Sequence, residues 1–138
     1  MQDRPTALEL LAAVRTFIEQ QVVPAFEGGR QFHARVAGNV LAIVTRELAD
    51  GDAQLRAEWA RLTELCVPAN GAPASTAPPA DPAVLRAAVG ALNAELAARI
   101  RDGDADAVPF RTAVLAHLRA TADEKLRIAN PAYLGEDR

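Results

Sequence analysis

Alanine dominates this chain and limits the folds open to it more than any other feature does. Of the 138 residues, 31 are alanine and only 4% are aromatic. Leucine, valine and isoleucine add 30 more, at helical rather than alternating spacing. Alanine and leucine favour helix, and this apolar content suffices for one hydrophobic core but not for two. We therefore predict an all-α, single-domain bundle over residues 1–138.

Capping signals and apolar spacing predict about five helices. Thr6 and Glu9 have capping-box spacing before the first helix, and Asp81 with Pro82 marks the start of the fourth. The second helix is predicted to stop at Asp50–Gly51, since glycine often follows a helix end. The predicted bounds are about Ala7–Val23, Arg30–Ala49, Ala53–Cys66, Asp81–Gly103 and Pro109–Ala129.

Residues 67–80 separate the third and fourth predicted helices. They read VPANGAPASTAPPA, with four prolines, one glycine and no charged residue. Proline and glycine interrupt regular helix, so we predict a flexible or extended loop that crosses the bundle. The segment is too short to establish a domain boundary.

Charge and hydropathy exclude several classes of protein. A net charge of −3 argues against a general nucleic-acid binder, which would usually be basic. No apolar run approaches the roughly 18–20 residues of a membrane span, and the N-terminus lacks the apolar region of a signal peptide. We therefore expect a cytoplasmic protein that binds neither nucleic acid nor membrane.

The sequence contains no motif that assigns a reaction. GxSxG, P-loop, GxGxxG and HExxH patterns are all absent, so we predict no catalytic residue and no cofactor, and enzymatic activity stays open. His33 and His117 are the only histidines, too few for a metal site of three or four ligands, and we predict none. The single cysteine, Cys66, excludes an internal disulfide and is interpreted as a small buried apolar residue.

Two polar residues fall within the apolar arc of the second predicted helix. They are His33 and Glu47, 14 positions apart, which is about 21 Å along a helix, so they cannot pair with each other. A buried charge without a partner is unfavourable, so each is expected to contact another helix. The arc itself is expected to face the core and consists of Phe32, Val36, Val40, Ile43, Val44 and Leu48.

Two basic residues are also predicted to face inward. Lys125, the only lysine, lies on the apolar side of the fifth helix, and Arg99 lies beside the apolar residues of the fourth. One interpretation is a structural ion pair of Glu47 with Lys125 or Arg99, since long basic side chains often lie along apolar surface. The other is an anion or carboxylate site that uses the same bases.

A polar stripe follows the second predicted helix. Arg35, Asn39, Ala42 and Arg46 lie within about 60° of each other around the helix. They form either a solvated face or a basic strip for a phosphate-bearing ligand or an acidic partner, and Asn39 could instead bond to a neighbouring helix. The candidate ligand-binding residues are His33, Arg35, Asn39, Glu47, Arg99, His117 and Lys125.

Four segments, in this order, carry a resemblance to a known family: RPTALELLAAVRTFIEQQVVPAF, FHARVAGNVLAIVTREL, LNAELAARIRDG and HLRATADEKLRIANPAYL. Together they resemble an uncharacterised bacterial helical family, the domain-of-unknown-function family numbered 6285. The resemblance implies a small all-helical protein, often encoded beside acyl-CoA dehydrogenase-like and aminoglycoside-phosphotransferase-like proteins. It implies an accessory role in such metabolism and supplies no catalytic residue.

Two functions are compatible with these observations. The first is a non-enzymatic accessory protein of a bacterial metabolic system that binds a protein partner or a second copy of itself. The alternative is an enzyme or sensor with a small-molecule site between the second, fourth and fifth helices. In that site Arg99, Lys125 and His33 would hold a carboxylate or phosphate.

Overall fold

The computed structural model describes residues 4–66 and 77–135, and these residues form helices and turns without a β-strand. The predicted all-α fold is confirmed. Most of the predicted proline-rich loop, residues 67–76, lies outside the described residues, and residues 77–80 are not helical. No helix in the described part of the chain is long and apolar enough to cross a membrane.

The N-terminal helix begins as the sequence predicts. The Thr6 hydroxyl accepts from the backbone N–H of Glu9 at 3.2 Å, and the Glu9 carboxylate accepts from the backbone N–H of Thr6 at 2.7 Å. Helix α1 (Ala7–Phe17) continues through a π-helical turn (Ile18–Val22) into α2 (Val23–Ala25). The wider turn precedes Pro24, whose ring would otherwise meet the carbonyl four residues earlier.

Helix α3 runs without a break over Gly28–Cys66, 39 residues. The predicted stop at Asp50–Gly51 is wrong, so the second and third predicted helices are one. Gly51 does not have positive φ, and glycine inside a helix costs only about 1 kcal/mol. Just beyond it, an ion pair of 2.8 Å joins Arg56 to Asp52 across one turn and supports the helix.

The remaining helices match the sequence prediction closely. Helix α4 (Pro82–Arg101) starts at Asp81, whose Oδ1 accepts from the backbone N–H groups of residues 83 and 84 at 2.7 and 3.1 Å. The chain leaves α4 at Gly103, which has φ of 92°. A 3-10 turn (Asp104–Asp106), helix α5 (Val108–Ala129) and a second 3-10 turn (Pro131–Leu134) follow.

The described residues divide into two compact units. The first unit contains the chain up to Gly51 and from Arg127 onward, and the second unit lies within Asp52–Leu126. The second unit has a core of large apolar side chains, in which Leu62 and Leu85 are completely inaccessible. The other buried members of that core are Trp59, Cys66, Val89, Leu96 and Val114.

The first unit buries a different face of α3 from the predicted one. Its buried positions are Ala34, Gly38 and Ala42, which repeat every four residues along one side of the helix. The Ile18 side chain lies so close that a Cβ on Gly38 would be 3.7 Å from it. Of the predicted inward arc only Ile43 is half-buried, and its other members are exposed, so the prediction is wrong for them. The chain that follows α1 packs instead against small residues, which permit a closer approach than large side chains do.

Candidate functional site

A row of large apolar side chains is exposed along α3 in the first unit. Its members repeat every four residues, and their exposed fractions range from 40% to 62%. Val36 and Val40 lie about 160° around the helix from Gly38, so the middle of the row faces away from the packed side. Several large apolar side chains exposed along one helix are typical of an interaction site. We call it the α3 row: Phe32, Val36, Val40, Val44 and Leu48.

His33 and Glu47 flank the α3 row and are exposed, which corrects the prediction that both face a core. Both side chains lie on the same helix face as the row, and that face is exposed. The His33 ring lies edge-on to the Phe32 ring, with 5.6 Å between centroids. The Glu47 carboxylate lies over Gly51, close enough that a Cβ there would be 2.9 Å from its Oε1. Among the described residues Glu47 forms no ion pair.

The predicted polar stripe lines a concave site of about 300 Å³ in the first unit, which we call the arginine cavity. Arg35, Asn39 and Arg46 contribute from α3, and Arg15 and Glu19 from α1 and the π-helical turn. The C-terminal end of α5 and the turn after it close the cavity. The remaining lining residues are Gly38, Ala42, Ala129, Asn130, Pro131 and Ala132.

Hydrogen bonds hold two of the three arginines in the cavity. The Arg15 Nε donates to Glu19 Oε1 at 2.7 Å, an ion pair within one turn. The Arg46 Nε donates at 2.7 Å to the Ile128 carbonyl, one of the last carbonyls of α5. The side chains of Arg35 and Asn39, in contrast, form no hydrogen bond within the described ranges. The cavity therefore contains donors that the first unit does not use.

In the second unit, Arg99 is bound within its own surroundings. Its Nε donates to Asp104 Oδ2 at 2.8 Å, and a terminal nitrogen donates to the Leu65 carbonyl. Its guanidinium lies 4.1 Å from the centre of the Phe110 ring, close enough for a cation–π contact. The acidic partner of Arg99 is thus Asp104, whereas one interpretation of the sequence paired Glu47 with Arg99 or Lys125.

Lys125 is exposed, which corrects the prediction that it faces inward. The buried positions of α5 are Val114 and His117, more than two helical turns before Lys125. Lys125 lies beyond the buried part of α5, where its side chain can extend to water. Its ammonium is therefore not part of a packed core.

His117 is the buried histidine of the second unit, with 4% of its surface exposed. Its Nδ1 has no hydrogen-bond partner within the described residues. Burial lowers the pKa of His117, and the positive charge of Arg61 lowers it further, against the opposing effect of Glu58 and Glu124. His117 borders a cavity of about 340 Å³ with Arg61, Glu64, Leu65, Ala113 and Ala116.

An ion pair that the sequence did not indicate lies beside His117. The two terminal nitrogens of Arg61 donate to the two carboxylate oxygens of Glu124 at 2.8 and 2.6 Å. These residues are 63 positions apart, on α3 and α5, so no local spacing could pair them. Arg15 was missed for the same reason, because only the packing of α1 brings it to the stripe on α3.

Cys66 is buried, as predicted, and its Sγ lies 3.6 Å from the Leu92 carbonyl. Burial raises the pKa of its thiol, the negative charge of Glu95 raises it further, and Arg99 partly opposes both. The neutral thiol is a poor nucleophile. Within the described part of the chain, no group of three or more His, Cys, Asp or Glu residues could hold a metal ion.

The model of a family described as Domain of unknown function (DUF6285) matches residues 24–133, which contain the whole α3 row and all but the α1 side of the arginine cavity. No curated protein and no solved structure matches the chain.

Proposed function

The chain belongs to the DUF6285 family, and on that premise we propose that it is a non-enzymatic accessory protein that acts through protein–protein contact. The observation that carries the proposal is the α3 row. Burying a large apolar side chain stabilises a contact by about 1.5–3 kcal/mol, so five half-exposed side chains on one helix favour association.

The occupant of the row is a second copy of the chain, because the row has the same chemistry in both directions about Val40. Valine stands four positions before and after it, and a large apolar residue stands eight positions before and after it. An antiparallel pair of α3 helices with a two-fold axis at Val40 brings Val36 against Val44 of the second copy. Rows with this four-residue spacing pack at about −50°.

The polar residues beside the row support the same arrangement. His33 stands seven positions before Val40 and Glu47 seven positions after it. Within one helix these two side chains are too far apart to meet. In the antiparallel pair, His33 of each copy lies opposite Glu47 of the other, so the contact occurs twice. The imidazole N–H of His33 can then donate a hydrogen bond to the Glu47 carboxylate of the other copy at each end of the row.

The accessory role itself follows the family resemblance. The candidate partners of the dimer are acyl-CoA dehydrogenase-like and phosphotransferase-like proteins. The α3 row is occupied by the second copy in this proposal, so such a partner binds elsewhere on the assembly.

Sedimentation velocity tests the proposal. The native chain is expected to sediment as a dimer at micromolar concentration. Val40→Glu places two like charges at the two-fold axis and is expected to weaken the dimer more than about a hundredfold, since an unpaired buried charge costs several kcal/mol. Ala49→Glu is the control: Ala49 is exposed on α3 outside the row. A monomeric native chain, or equal weakening by both variants, would overturn the proposal.

A charge exchange tests the antiparallel register. His33→Glu places a carboxylate opposite Glu47 of the second copy and is expected to weaken the dimer. Adding Glu47→Lys to that variant is expected to restore it beyond the sum of the two single effects. If the double variant stays as weak as His33→Glu, the proposed pairing about Val40 is wrong.

A further inference from the structure

We infer that the arginine cavity binds the phosphate group of a phosphate monoester. The inference rests on the cavity alone and is independent of the α3 row, with which the cavity shares no residue. A ligand here would contact α1, α3 and the end of α5 within the first unit.

The charge of the cavity selects a dianion. Its lining contains three arginines and one glutamate, which leaves a net charge of +2. Arg15 and Glu19 neutralise each other through their ion pair of 2.7 Å, so the excess charge lies on Arg35 and Arg46. A phosphate monoester carries about −1.5 to −2 at neutral pH and matches that excess, whereas a single carboxylate would leave one guanidinium uncompensated.

The available donors suit a tetrahedral oxyanion. Arg46 uses its Nε on the Ile128 carbonyl, and its two terminal nitrogens form no hydrogen bond with another described residue. The whole guanidinium of Arg35 and the amide of Asn39 are also unused within the described residues. Two guanidinium groups and an amide offer several N–H donors, and planar guanidinium is well suited to phosphate oxygens.

The cavity is partly preorganised for such a ligand. The bond from Arg46 to Ile128 fixes the direction of that guanidinium before a ligand arrives, which lowers the entropy lost on binding. Glu19 lies over Gly38, with its Cγ 3.6 Å from the position of a Cβ there, and forms one wall. A volume of about 300 Å³ is at the lower end for ligand sites, so it fits a small phosphorylated metabolite.

Binding is measured with glycerol 2-phosphate by ³¹P NMR at constant ionic strength, because salt screens contacts at exposed arginines. Arg35→Gln is expected to weaken binding about tenfold or more, the effect of losing one charged hydrogen-bonding group. Asn39→Ala removes the amide donor beside Arg35 and is likewise expected to weaken binding. Arg30→Gln is the matched control, since Arg30 is exposed on the same helix and does not line the cavity.

The pH dependence of binding separates recognition of a dianion from general attraction to positive charge. A phosphate monoester loses its second proton at about pH 6, so its affinity is expected to rise about tenfold between pH 5 and pH 7.5. No histidine lines the cavity, and its charged groups are Arg15, Glu19, Arg35 and Arg46. Sulfate stays dianionic over this range, and its affinity is expected to remain constant.

Three results would overturn the inference. The first is the absence of binding of glycerol 2-phosphate to the native chain. The second is an Arg30→Gln variant that weakens binding as much as Arg35→Gln does, which would indicate nonspecific attraction. The third is glycerol 2-phosphate affinity that does not change with pH. None of these results depends on whether the chain forms a dimer.

Discussion

His117 illustrates how a single residue takes its properties from its surroundings. The sequence predicted that His33 faces a core and made no such prediction for His117, yet His117 is 4% exposed and His33 is on the surface. A buried histidine without a partner for Nδ1 favours the neutral ring, because the loss of hydration and the repulsion from Arg61 together outweigh the attraction of Glu58 and Glu124.

The lowered pKa of His117 predicts a specific pH dependence of stability. The unfolded chain takes up a proton near the ordinary histidine value of about 6.5, whereas the folded chain takes it up only at lower pH. The contribution is therefore fully present above about pH 6.5 and is lost as the pH falls below that value. Urea unfolding between pH 7.5 and pH 5 is expected to show a smaller loss of stability for His117→Leu than for the native chain. Equal losses in the two proteins would contradict the prediction.

At the scale of elements, α3 shows that a glycine typical of a helix end does not end a helix when the residues on both sides favour helix. Asp50–Gly51 has the composition of a helix end, but the helix continues through it to Cys66. The residues on both sides favour helix, and leaving the helix at Gly51 would give up their hydrogen bonds. One interior glycine is a smaller loss than two additional helix ends.

Gly51→Ala is expected to stabilise the protein by about 0.5–1 kcal/mol, because alanine loses less conformational freedom than glycine in a helix. The added Cβ would meet the Glu47 carboxylate, the flexible end of an exposed side chain, which can rotate away. Gly90→Ala is the matched control in α4, where a Cβ meets nothing within 4 Å. Thermal unfolding of both variants checks this. Stabilisation by Gly90→Ala together with destabilisation by Gly51→Ala would contradict a continuous α3.

At the scale of the whole molecule, the two units differ in how they are stabilised. The second unit buries large side chains from α3, α4 and α5, whereas the first unit buries Ala34, Gly38 and Ala42, and α1 has no buried residue. Burial of apolar area is the main stabilising contribution to folding, so the units are expected to differ in local stability.

Native-state hydrogen exchange measures that difference directly. Backbone amides near Leu85, Val89 and Leu96 in α4 are expected to exchange more slowly than those of α1. Local unfolding of α1 exposes no buried large side chain and therefore costs less free energy. Exchange is compared residue by residue at low protein concentration, where self-association is weakest. Equal protection of α1 and α4 would mean that the described chain unfolds as one cooperative unit.

Several features follow from local chemistry and could be predicted from the sequence. The all-α fold, the Thr6–Glu9 capping box and the Asp81 start of α4 depend on residues within one turn of each other. The burial of Cys66 was also predicted, from its apolar character. The polar stripe on α3 was also predictable from spacing, and it is the part of the arginine cavity that the sequence indicated.

By itself, the sequence determined which segments are helical and which side chains share a helix face, because both depend on contacts within a few residues. Only the tertiary structure decided which face is buried. Helix α3 has an apolar face and a small-residue face, and the second is buried because the chain after α1 approaches closely at Gly38. That choice exposed the α3 row with His33 and Glu47 and brought Arg15 to Arg35 and Arg46. Such contacts join residues that are far apart in the sequence, so local spacing cannot predict them.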